Sequence, residues 1–436
     1  MCSYSNRLII DRKIIERALP VYCALMTYKT IYNYFIFLFP SLQGLWVLLY
    51  NFVALMGLVL FIPLTLYVMS RYKKYRLLHP AIIIPLCVII NIIVVMFETG
   101  DISILGRQHI LSLASGTNDA KGYYFAQVNT WFCNMSVVLM IAVFARRLET
   151  IKKCLISAMS TLFIPAVLMV VIHPEYIGIR QSVVEESNVV FSGGLWNIGV
   201  IGIGSLSWLG LALLDDMTRR QRRFVVIAVA LFAFLGIAGL SRTLLLMLIL
   251  SGCTYFLLAK KDSRLITKII LISFAVIVIV LVEQGVVDAL FSRINDSSTG
   301  GTHNIRILLW GAYLSHFKEV WLVGAPYGGV YNYYRDVNLY GAYFLPHSSV
   351  INFFVRYGLL CTLSYLCLIK NAFLSSTRND PSSINRKACL KAACVAYISL
   401  AFINQTGYAE SVFYVMFGLL LAYSQLLINE GKGVSA

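Results

Sequence analysis

Charge is what this sequence has least of. Asp and Glu number 20 among 436 residues, Lys and Arg 36, and together they make up only 13% of a chain that is 59% hydrophobic. That balance excludes an ordinary soluble globular domain. Zinc-ligand spacing is absent among the ten cysteines, and none falls in a segment expected outside a membrane, so neither a structural zinc site nor a disulfide framework is indicated. The opening MCSYSNRLIIDRKIIERALP lacks the short apolar core and small-residue cleavage site of a signal peptide. Its Leu8, Ile9, Ile14, Ile15 and Ala18 recur at near-helical spacing, which predicts a short helix on the membrane surface ahead of the first span. The outer loops hold no carboxylate pair resembling a glycosidase site, although Asp296, Asp336 and Glu410 stand as alternative bases, and no DxD-like pair that would hold a divalent ion.

What is present is a series of apolar runs about as long as a bilayer is thick. Segments near 18–40, 44–70, 81–97, 123–145, 154–172, 195–214, 224–240, 243–259, 268–284, 348–370, 390–406 and 411–428 read as spans. The expectation is an all-α polytopic membrane protein with about 12 transmembrane helices, forming a single integral membrane domain over residues 1–436. Assigning the loops alternately to two sides puts most Lys and Arg on the side shared with both termini, including Arg71/Lys73/Lys74/Arg76, Arg146/Arg147, Arg219/Arg220/Arg222/Arg223 and Arg386/Lys387. By the positive-inside rule that side is cytoplasmic. The net charge of +16 is then mostly a topology signal, and nucleic acid is a poor partner for it.

Against that bias, several cations remain on the outer side. Arg242 follows a tight hairpin in GIAGLSRTLLLM, and Arg180, Arg306 and Arg356 also lie on or just below the outer face. Guanidinium groups hold phosphate oxygens in two-point contacts, so a cluster of them suits a diphosphate. The longest outer loop, 285–347 between the ninth and tenth spans, carries IRILLWGAYLSHFKEVW, expected as a short helix across the outer surface, and then GAPYGGVYNYYRDVNLYGAYFLP. Its aromatic side chains, Trp310, Tyr313, Tyr327 and Tyr343 among them, are candidates for stacking on sugar rings. Pro346 opens the following helix, Ser348 or Ser349 can cap it, and His347 then sits at its mouth, where a neutral imidazole can take a proton from a hydroxyl. Arg356, nine residues further and so about 13 Å along the helix, needs a polar cavity or a partner such as Glu410.

In their order, LSRT (241–244), NIRILLWGAY with WLVGAPYG (304–328) and PHSSVINFFVRYGLL (346–360) resemble the core of the bacterial O-antigen polymerase and O-antigen ligase superfamily. The likeness covers about the last half of the chain. It implies a glycosyltransferase of the inner membrane, acting on the periplasmic face without metal or cofactor, that moves glycan from undecaprenyl diphosphate. His347 would assist the attacking hydroxyl, and Arg242, Arg306 and Arg180 would grip the diphosphate. A polymerase of lipid-linked repeats in lipopolysaccharide or related surface polysaccharide biosynthesis is the first expectation, with a chain-length regulator protein as a candidate partner. A ligase that transfers glycan to lipid A-core is the alternative. A flippase or transporter is the third reading, weakened because no repeat relates the two halves and because Gly44, Gly57, Gly202 and Gly204 suit close helix packing better than hinges. The chain departs from the family where His347 is followed by Ser348 instead of Asn.

Overall fold

The computed structural model describes residues 2–99, 123–174, 195–239, 241–260, 310–315, 317–324, 348–378, 384–404 and 410–431. Among these residues regular structure is helical, with no strand. The first five helices are α1 (Cys2–Leu38), α2 (Gln43–Ser70), α3 (His79–Thr99), α4 (Tyr123–Phe144) and α5 (Leu148–Ile172). α6 (Leu195–Gly202) passes through a π turn at Ile203–Ser207 into α7 (Trp208–Ala212), the freed carbonyls of Ile201 and Gly202 accepting from the hydroxyls of Ser205 and Ser207. Then come α8 (Arg219–Ala238), α9 (Arg242–Leu258), the single turn α10 (Phe317–Val320), α11 (Ser349–Arg378), α12 (Ile384–Ile403) and α13 (Ser411–Gly431).

Each expected span except 268–284, which lies outside the described residues, coincides with a helix. Among the described residues, six helical stretches are long and apolar enough to cross a membrane: Pro40–Ser70, Arg76–Val94, Leu148–Ile172, Arg219–Ala238, Ser349–Thr377 and Ser411–Asn429. Thr130–Phe144, Trp196–Ala212 and Arg242–Leu258 are shorter apolar helices. On α2 the exposed side chains Leu48, Phe52, Leu55, Val59, Ile62, Leu66 and Met69 alternate three and four apart, while Val53, Gly57, Phe61, Leu64 and Val68 are buried. Two apolar faces on one helix, one of them uncovered, are what hydrocarbon solvates and water does not. α13 is the opposite case, 89% buried over its most apolar window against 33% for α2, which makes it the central helix.

Two local expectations change. α1 runs unbroken from Cys2 through Pro20 to Leu38, so the amphipathic start is continuous with the first span and is not a separate surface helix. The segment expected to lie across the outer surface instead reaches into the bundle at its far end. Asn91 Nδ2 donates to Val323 O (2.7 Å), and Asn91 is twelve residues, or about 18 Å, along α3. The notch that receives this segment is a break in α11: Gly358 has φ +78°, and the freed Leu359 N–H donates to Trp321 O (2.8 Å). A Cβ at Gly358 would stand 2.4 Å from Leu322 O, so only glycine allows both the left-handed backbone and the close approach.

At one end lie the connections 71–78 and 145–147, with Arg71, Lys73, Lys74, Arg76, Arg146 and Arg147, and the start of α8, with Arg219, Arg220, Arg222 and Arg223. Arg386 of α12 ties this end together by pairing with Asp216 (2.8 Å) and donating to Tyr423 O–H of α13 (3.0 Å), while Lys152 donates to Asp216 O (2.7 Å). The candidate site is at the other end.

Candidate functional site

Three helices begin around the last turn of α12. α9 starts at Arg242 because Ser241 Oγ accepts from Leu244 N (3.2 Å). The hairpin before it is tight because Gly239 lies against the backbone of Trp196, and a Cβ there would meet Trp196 N at 2.7 Å. α9 packs antiparallel to α12. At the basic end Lys260 N donates to Asn385 Oδ1 (3.0 Å), and further along Met247 and Leu400 close together over Gly204. Continuing that register brings Arg242 level with Asn404.

α11 begins at the same place. Ser348 is its cap, Oγ accepting from Ile351 N (3.4 Å), and Asn404 O accepts from both the backbone N–H (3.2 Å) and the hydroxyl (2.7 Å) of Ser349. α13 is the third: its Phe413 ring approaches Gly204 beside Leu400, Ser411 Oγ donates to Asn134 Oδ1 (2.7 Å) in α4, and Val412 N donates to Thr30 Oγ1 (3.1 Å) in α1. The first turns of three helices therefore lie close to the end of α12, and the positive end of a helix dipole favours a nearby anion.

Two polar groups to which the sequence reading gave no role complete this region. Asn352 is 2% exposed, and its Nδ2 has no hydrogen-bond partner among the described residues. Ser348, Asn352 and Arg356 recur every four residues and so share a face of α11. That spacing was a usable signal. The neighbouring Phe353 packs edge-on against Trp131 of α4 (4.8 Å), and Trp131 Nε1 donates to Tyr357 O–H (2.8 Å), linking this face to the floor formed by Asn134 and Ser411. Lys29 is the second, 6% exposed in α1 with its Nζ 5.7 Å from the ring centre of Tyr50.

The cation set against Glu410 is this Lys29, where the sequence suggested Arg356. Burial pushes the Glu410 carboxyl up to about 7, and Lys29 partly offsets that rise. Tyr32, Tyr34 and Tyr50 lie within its electrostatic reach. A carboxyl poised there can accept a proton near neutral pH.

Of the residues expected from the sequence to act on the acceptor, the diphosphate or the glycan, the structure describes Arg242, Trp310 and Tyr313, beside Arg356 and Glu410. Arg242 is part-buried at the start of α9. Trp310 is part-buried, and Tyr313, only 1% exposed, is enclosed by protein. Arg180, Arg306, His347, Tyr327 and Tyr343 lie outside the described residues. No protein-family model matches the chain, and no curated protein matches it.

Proposed function

We propose that the chain is a membrane glycosyltransferase of the O-antigen polymerase type, taking a lipid-linked oligosaccharide from undecaprenyl diphosphate and joining it to a hydroxyl of another lipid-linked repeat. The convergence of the first turns of α9, α11 and α13 around Asn404, with Arg242 on one of them, carries this reading. A diphosphate leaving group gains charge as the anomeric C–O bond breaks, and preorganised N–H groups with a guanidinium stabilise that charge. Arg242, together with Arg306 and Arg180, supplies the cations; His347, directly before the Ser348 cap, removes the acceptor's proton. The end bearing this site is periplasmic, and the basic end is cytoplasmic, with both termini, in about twelve crossings of the inner membrane.

Deleting the gene tests the proposal. Single repeats on the surface lipid are the expected product, and long chains of normal length in the deletion strain sink the proposal. Accumulation of carrier-linked polymer would instead assign the ligase reaction.

A further inference from the structure

The basic end holds a cavity of its own, remote from the proposed site. It has a volume of about 870 Å³ and lies between the 71–78 turn, α11 and α13. Lys73, Lys74, Arg76 and Lys370 line it, with no carboxylate among its described lining residues, and Leu77, Leu374 and Ile428 supply an apolar side. The four cations are exposed, and the backbone that carries the first three is held in place. Tyr75, in the middle of the run, is buried and its hydroxyl accepts from Arg146 (2.8 Å), while Asn371 Nδ2 donates to Leu77 O (3.0 Å), fastening the turn to α11. The inner wall adds a donor: Gln425 Nε2 of α13 is buried and has no hydrogen-bond partner among the described residues. A buried N–H without an acceptor is costly, and an anion's oxygen removes that cost.

We propose that this cavity binds the phosphate-bearing headgroup of an anionic membrane lipid, with Lys73, Lys74, Arg76 and Lys370 neutralising phosphate and Gln425 donating to one of its oxygens. Four cations suit more than one phosphate charge, and their place at the helix ends beside exposed Met69, Tyr72 and Leu374 is where headgroups meet acyl chains. A cardiolipin-like diphosphate lipid is the best fit. The inference is independent of the glycosyltransferase reading.

The test uses the full chain purified in detergent, titrated separately with cardiolipin, phosphatidylethanolamine and inorganic pyrophosphate, with binding read by native mass spectrometry and by the shift in thermal unfolding. Cardiolipin is expected to bind saturably and phosphatidylethanolamine not to. The double variant Lys73→Ala/Lys370→Ala weakens cardiolipin binding at least about tenfold, and Gln425→Leu weakens it less. Lys73→Arg/Lys370→Arg retains binding, which separates loss of charge from misfolding. Arg219→Ala/Arg220→Ala, removing exposed cations elsewhere at the same end, leaves binding unchanged. Saturable pyrophosphate binding lost in the same double variant, without lipid binding, would keep the phosphate site but give it a soluble ligand. Failure of all three probes to bind, or equal weakening by the Arg219/Arg220 pair, overturns the proposal.

Discussion

A single arginine at the start of α9 is where sequence and structure meet most directly. Arg242 is placed by a serine cap and a glycine-lined hairpin, both fixed by neighbouring residues, and the antiparallel register with α12 puts it level with Asn404. Arg242→Ala is expected to abolish chain transfer with membrane levels unchanged, seen as loss of long glycan chains on a gel beside an unaltered immunoblot. His347→Ala and Arg306→Ala are expected to do the same, and Arg306→Lys to fail substantially, because an ammonium cannot reproduce a two-point contact. Glu410 makes a separate prediction about pH. Its carboxyl titrates near 7 in the folded chain against 4.5 ordinarily, so the native state holds the proton more tightly than the unfolded one. This group's contribution to stability is therefore most favourable below pH 4.5 and declines as pH rises towards 7. Thermal unfolding of Glu410→Gln across that window is expected to be flatter with pH than that of the wild type; an unchanged slope would mean that Glu410 does not titrate there.

At the scale of elements, glycines separate what composition suggests from what packing decides. Gly57, Gly202 and Gly204 do lie in close helix contacts, against Cys133, Phe232 and the Leu400–Met247 pair, but Gly44 has nothing within 4 Å of a Cβ position. Gly44→Ala is accordingly expected to leave the unfolding temperature unchanged or slightly raised. Gly358→Ala is expected to lower stability by about 1–3 kcal/mol from the positive-φ, extended backbone alone, and to reduce activity by displacing residues 321–324 from the notch; wild-type unfolding temperature in this variant would show that the break in α11 is not required. The position of the segment ending at Gly324 could not be read from its amphipathic spacing. A helix lying on a surface and one whose end enters a bundle both alternate apolar and polar residues; Asn91, more than two hundred positions earlier, makes the difference.

For the whole molecule, the alternation of basic and non-basic connections predicts which end faces the cytoplasm. Reporter fusions ending at Thr218 or Lys260 are expected to be active only for a cytoplasmic reporter, and those ending at His173 only for an exported one. The reverse pattern would place the Arg242 end inside and remove access to a periplasmic acceptor.

The helices and their approximate bounds were determined by local chemistry: apolar runs of bilayer length, serine and threonine caps, and clusters of Lys and Arg between them. These signals lie within a few turns of one another, and one sequence suffices to read them. Tertiary structure alone decided which polar groups meet. Lys29 was visible as a lone cation in an apolar run, but its neighbours are Tyr50 on the next helix and Glu410 near the far end of the chain. Likewise, the grouping of Arg242, Ser349 and Ser411 depends on α12 ending where three other helices begin. Hydropathy records that a side chain leaves water; close packing between distant segments selects the partner it finds there.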